Sequence, residues 1–311
     1  MALLWKVPAT LGILAVGVVM MLLIWSATFD RLLGMIWYST QVEVDILENA
    51  SSDEVLLVGV GFQNSARKVG ATLGPEVQAV MNVALIQFAQ RGFNFDGIYN
   101  TVMAKIKQQG FKRISLYGGS MGAQFQARFM AKYHAEGMPL GKIRVVIFDD
   151  PVTSWRSTTY PKWVMQFFGN LPAGPTLTLI KGPFIYNMVR KAIAAAEEGV
   201  DRNALKSHYW AMGLWPMPST AAELTFMVET DVSTMNLRGI AERLVVVSGD
   251  DGDGDDPLIK LNVSMDELEQ ALGAKPALKI DPARQKGEHN TAAERPKFIA
   301  IVLREQLELA S

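Results

Sequence analysis

The sequence predicts an α/β fold, with a mostly parallel central sheet, helices on both of its faces and a helical segment inserted late in the chain. Three observations predict it. Compact apolar runs rich in valine and isoleucine alternate with segments of helical periodicity, the pattern of a parallel sheet built from βα units. These runs are apolar throughout rather than at every second residue, as in strands buried on both faces. One long stretch, 152–239, then breaks the alternation.

The elements follow in order. Leu32 to Ile46 reads as a helix end and a first strand, and "EVLLVGVGF" (Glu54 to Phe62) as a buried strand closed by glycines. A polar, glycine-containing segment holds a helix around Pro75 to Val80, before the strand run "MNVALIQF" (Met81 to Phe88). Asp96 to Gln109 carries Ile98, Val102 and Ile106 at helical spacing and stops at Gly110, a usual helix terminator. "RISLYG" (Arg113 to Gly118) is a strand and Met121 to Gly137 the helix after it; Lys142 to Pro151, Glu242 to Asp251 and Pro276 to Asp281 are further strands. The stretch 152–239 holds four of the seven tryptophans, Trp155, Trp163, Trp210 and Trp215. It reads as a helical cap above the carboxyl edge of the sheet, where open α/β sheets bind ligands, with most of these aromatics forming its own small core.

Composition bounds the function. With 49% apolar residues the chain can bury a sizeable core. Its 30 basic and 31 acidic residues nearly cancel, so no overall field favours a nucleic acid. The absence of cysteine excludes disulfides, thiolate catalysis and cysteine-ligated zinc. No cofactor is expected.

The N-terminus is the exception to an otherwise even composition. Val7 to Phe29 contains no charge and is long enough to span a bilayer as a helix. A signal peptide has a shorter apolar region, roughly 7 to 15 residues, and a small-x-small cleavage site, which "SAT" (Ser26 to Thr28) matches poorly. Lys6 lies on one side while Asp30 and Arg31 cancel on the other, so the positive-inside rule places the N-terminus in the cytoplasm and the remainder outside. The expected organisation is a transmembrane anchor at 1–30, an α/β core in two parts at 31–151 and 240–311, and a cap at 152–239 between them.

"GGSMG" (Gly118 to Gly122) matches G-x-S-x-G, with an apolar strand before it and a helix after it. That context puts Ser120 on a sharp turn whose neighbours must be small. A serine hydroxyl needs a base, and the base a carboxylate. On this architecture they follow in the order Ser, Asp or Glu, His. His289, in "KGEHN" before the terminal helix segment Thr291 to Leu307, completes that order; His134 falls in an exposed last helical turn and His208 in the insertion. On these residues the chain resembles the α/β-hydrolases from about Val55 to its C-terminus.

The resemblance implies a Ser-Asp-His triad of Ser120, His289 and an acid after the strand "RLVVVS". Asp256, in "DDPLI", is preferred, with Asp251 and then Asp255 behind it, and Asp150 in "FDDP" as a further position. Ser264 and Glu267 form the spacing of a capping box that starts the following helix. The resemblance also implies an oxyanion hole from the backbone N–H groups of Met121 and Phe62, although Val60 stands where the family often has histidine. Asp251, Asp253 and Asp255 alternate as in a calcium loop, but Asp256 occupies the glycine position and Asn262 that of the final glutamate, so no metal is expected. The implied activity is hydrolysis of a carboxylic ester, carboxylesterase-like or lipase-like, with a small-molecule ester or lipid as substrate and the bilayer as partner. Two alternatives use the same residues: a fold that has lost catalysis and binds or scaffolds at the membrane, and a triad directed at a thioester or peptide.

Overall fold

The computed structural model describes residues 17, 42–49, 51–61, 66–88, 93–169, 217–249, 256, 258–281 and 295–308. Seven strands form one sheet: β1 (Glu43–Leu47), β2 (Glu54–Gly59), β3 (Asn82–Gln87), β4 (Arg113–Gly119), β5 (Ile143–Asp149), β6 (Ala241–Ser248) and β7 (Ala277–Ile280). Their spatial order is β1-β3-β2-β4-β5-β6-β7, with only β1 antiparallel to its neighbour. Every residue of β2 is buried, whereas the edge strands β1 and β7 are only partly covered. That gradient explains why the central strands are continuous apolar runs and the edges are not.

Seven helices accompany the sheet among the described residues: α1 (Ala66–Gln78), α2 (Phe95–Gln109), α3 (Met121–Ala135), α4 (Lys162–Gly169), α5 (Met217–Glu229), α6 (Leu261–Leu272) and α7 (Pro296–Leu307). The step from β2 to β3 runs toward the β1 edge, while the steps from β3 to β4 and from β4 to β5 run the other way. Right-handed crossovers therefore put α1 on one face and α2 and α3 on the other. Two contacts agree with this: α7 packs against α1, and α2 meets α3 through Phe95 against Phe125 and Tyr99 against Phe129. Where the direction reverses, the carboxyl ends of β2 and β4 leave a crevice, the usual ligand position of an open α/β sheet. Buried Gln126 of α3 ties these two strands together, its Nε2 donating to the carbonyls of Leu57 and Tyr117 at 2.9 and 3.0 Å.

Several expectations are corrected. The helix expected around Pro75 to Val80 is longer and earlier, because Val69, Leu73 and Val77 repeat every fourth residue and are all buried, which holds the helix despite Pro75. The expected capping box is absent. Helix α6 begins at Leu261, and Ser264 within it donates instead to the Pro151 carbonyl at 2.6 Å. Glu267 accepts from Thr153 Oγ1, Ser154 Oγ and Arg156 Nε at 2.7, 2.8 and 2.8 Å. Distant polar partners have outcompeted the local cap.

After β5 the chain leaves the sheet and returns at Ala241. The two stems are joined by a hydrogen bond from Val232 N to Thr153 O at 2.9 Å and by Arg156 Nη2 donating to both carboxylate oxygens of Asp231. Between them, α4 packs against α5. Trp155 is half-buried with the Lys162 ammonium 5.1 Å from its ring centroid, but Trp163 is 70% exposed and forms no core. Trp210 and Trp215 lie outside the described residues, as does the apolar run Val7 to Phe29 apart from Gly17. Among the described residues no helix is long and apolar enough to cross a membrane.

Candidate active site

Ser120 sits between β4 and α3, at the carboxyl end of the sheet beside the crevice, with φ 52° and ψ −121°. An L-residue in that region is strained, and such strain persists only where the surroundings over-determine it. Two backbone hydrogen bonds do so: Ser120 N donates to Asp149 O at 2.9 Å, and Val152 N donates to Ser120 O at 3.1 Å. Although Ser120 occupies the N-cap position of α3, its hydroxyl makes no capping bond.

The glycines of the motif are sterically required. A Cβ on Gly122 would lie 2.2 Å from the Gly59 carbonyl oxygen, and one on Gly118 would lie 2.6 Å from the Gly122 carbonyl oxygen. Both obstacles are backbone and cannot rotate away. The turn thus brings α3 against the end of β2. Gly122→Ala is expected to destabilise the protein by about 3 kcal/mol, the upper range for overpacking. Thermal unfolding checks it, and a variant within 0.5 kcal/mol of the parent, roughly the scatter of neutral substitutions, contradicts the steric assignment.

Met121 is the first residue of α3. Its N–H belongs to the helical turn whose donors have no intrahelical acceptor, at the positive end of the helix dipole. An anion forming beside Ser120 would meet it. The second expected donor, Phe62, lies outside the described residues, which stop at Gly61 beyond β2.

Asp256 is buried, and its Oδ1 accepts from the backbone N–H groups of Leu258 and Ile259 at 2.7 and 3.0 Å. The turn it organises docks on the segment after β5, through Thr159 N to Leu258 O at 3.1 Å and Lys260 N to Ser157 O at 2.8 Å. A carboxylate is therefore held in place on the loop following β6. Asp150 is also buried, with φ 43°, but both of its oxygens are engaged: Oδ1 accepts from Ser248 Oγ at 2.6 Å and Oδ2 from Arg295 Nη2 at 3.0 Å. Asp251, Asp255, His208 and His289 lie outside the described residues. His134 is exposed in the last turn of α3, where a cation suits the helix dipole. Asn262 is inside α6, and among the described residues no cluster of His, Asp and Glu is placed to hold a metal ion.

The sequence did not single out Asp149, Tyr117, Ser248 or Arg295. Tyr117 OH donates to Asp149 Oδ2 at 2.5 Å, and Arg295, itself buried, also donates to Asp149. Burial works against the Arg295 charge, but Asp149, Asp150, Tyr117 and Asp281 outweigh it and raise its pKa further. The paired aspartates of "FDDP" at a strand end were the available signal.

No protein-family model matches the chain, and neither does any curated protein. Solved structures do. A lipase-esterase related protein from Clostridium acetobutylicum superposes with a TM-score of 0.59 at 16% identity, over 85% of this chain and 98% of that one. The chain has the α/β-hydrolase fold. A thermophilic esterase from Thermogutta terrifontis (TM-score 0.57, 15% identity, 87% of this chain and 97% of that one) and a bromoperoxidase from Bacillus anthracis (0.56, 17%, 87% and 99%) share it. Their differing names show that the α/β-hydrolase fold alone does not choose the chemistry. That choice rests on the residues at the strand-to-helix turn, where such a fold presents its nucleophile.

Proposed function

We propose that the protein is a serine hydrolase that cleaves carboxylic esters, with Ser120 as nucleophile, His289 as base, Asp256 as the orienting carboxylate and the N–H groups of Met121 and Phe62 as oxyanion donors. The single observation that carries this reading is the strained Ser120 backbone at the switch point of the sheet, between two glycines that no larger residue could replace. Ser120 Oγ attacks the acyl carbonyl while His289 takes its proton. The tetrahedral oxyanion is held at the N-terminus of α3, the alcohol leaves with that proton, and water then hydrolyses the acyl-enzyme. Asp256 is preferred to Asp150 because it lies on the loop after β6, where the N–H groups of Leu258 and Ile259 hold its carboxylate in place, whereas Asp150 is bound by Ser248 and paired with Arg295. Asp251 remains the alternative acid.

The test is reaction of the full chain with a fluorophosphonate probe, followed by peptide mapping. Stoichiometric labelling of Ser120 is expected, and a folded protein left unlabelled would falsify the proposal.

The uncharged run Val7 to Phe29 supports a single-pass anchor that keeps the catalytic domain at the bilayer, with the N-terminus in the cytoplasm. An ester carrying an acyl chain is the substrate class suited to that position. Alkaline carbonate washing of membranes should leave the full chain in the pellet; release into the supernatant would refute the anchor.

A further inference from the structure

Four strand ends and one helix start converge on a single buried guanidinium. Arg295 Nη2 donates to Asp149 and to Asp150 Oδ2, and the Arg295 side chain is only 5% exposed. Asp149 reaches β4 through Tyr117, three residues before Ser120, and its backbone carbonyl accepts the Ser120 N–H. Asp150 reaches the end of β6 twice, through Ser248 Oγ and through its own N–H to Val247 O at 2.9 Å. Asp281, the residue after β7, donates its N–H to Ser248 O at 2.9 Å and adds to the field on Arg295. Asp150, like Ser120, is a non-glycine residue at positive φ.

A buried ion pair of this kind is a poor device for stability, because desolvation offsets most of its attraction and well-packed apolar residues often do as well. What it supplies is geometry. The planar guanidinium fixes two adjacent carboxylates at once, in a way a flexible apolar chain cannot. The segment it holds, Asp149 to Val152, grips Ser120 from both sides, through the Asp149 carbonyl and the Val152 N–H.

We infer that Arg295 is a positioning residue for acyl transfer: through Asp149 and Asp150 it sets the placement of the strained Ser120. The inference rests on the assignment of Ser120 as nucleophile. Arg295 acts through these aspartates rather than on the substrate, so its loss should lower turnover and leave substrate binding unchanged.

The test measures hydrolysis of p-nitrophenyl butyrate by the full chain and its variants, with kcat expressed per fluorophosphonate-titrated Ser120, so that misfolded protein is not counted. Arg295→Met should lower kcat on the order of 100-fold, the scale of a 1 Å misplacement at a reacting centre, with KM changed less than about twofold. Arg295→Lys should restore kcat to within about tenfold of the parent, since an ammonium keeps the charge and can donate to both aspartates but lacks the rigid plane that aims Nη2. Should Arg295→Met fail to fold, Asp150→Asn carries the test: its amide faces the guanidinium with a donor, and kcat per site should drop about tenfold. Parent-like kcat per titrated site in folded Arg295→Met, or in Asp150→Asn where Arg295→Met does not fold, would overturn the inference whatever the melting temperature and leave the nucleophile assignment standing. A parent protein that the probe does not label overturns that assignment itself.

Discussion

Replacing Ser120 by alanine or glycine is expected to abolish fluorophosphonate labelling and to lower kcat for ester hydrolysis by on the order of 10⁶, the usual consequence of removing the nucleophile of a Ser-His-Asp site. The two variants should nevertheless differ in stability. Alanine inherits the backbone at φ 52° and ψ −121°, a conformation that costs an L-residue about 1–3 kcal/mol. Glycine adopts it freely, and its own penalty is the greater entropy of the unfolded chain, about 0.5–1 kcal/mol. Subtraction leaves Ser120→Gly more stable than Ser120→Ala by about 1 kcal/mol. Urea unfolding of the two proteins measures the difference directly. Equal midpoints, or a less stable glycine variant, would show that the turn stores no strain, and the strongest structural argument for a nucleophile at this position would be lost. A non-glycine residue kept at a position where glycine would be less strained is the trade expected of a residue retained for reactivity rather than packing.

What could be read from the sequence depended on how local the determining physics is. The inner strands were legible to within a few residues, since each is built on a compact apolar run; the expected strand Glu242 to Asp251, for instance, is Ala241–Ser248. The edge strand β1 was harder, because its mixed exposure leaves no clean apolar run. The turn at Ser120 was legible because its requirements are met within five residues. Partners far along the chain were not. Ser264 and Glu267 have capping-box spacing, yet their hydrogen-bond partners are Pro151, Thr153, Ser154 and Arg156, more than a hundred positions away. The same holds for Arg295 and Asp149, separated by 146 positions. No periodicity announces such a pair, and Arg295 in the sequence is one charge before a proline that opens a helix.

The acid is decided by a comparison of two asparagine substitutions. Asp256→Asn keeps a carbonyl oxygen that can accept from Leu258 N and Ile259 N, so the turn should survive and the melting temperature change little. If Asp256 orients His289, the amide presents the wrong partner to the imidazole, and kcat should fall on the order of 10⁴. Asp150→Asn disturbs a buried pair with Arg295 and a bond from Ser248; the protein should lose stability by about 3 kcal/mol, as when one partner of a buried ion pair is removed, and turnover by only the factor of about ten expected of a positioning contact. The two substitutions thus separate in opposite directions on the two measurements. A 10⁴-fold loss in Asp150→Asn with near-parental activity in Asp256→Asn would move the acid to the end of β5. Modest losses in both would move it to Asp251 or Asp255, upstream on the same loop after β6. Because both aspartates are buried, burial cannot distinguish them, but the two measurements can: Asp256 holds a turn through backbone N–H groups, which an asparagine carbonyl oxygen can still accept, while Asp150 faces a buried cation, which an amide cannot neutralise.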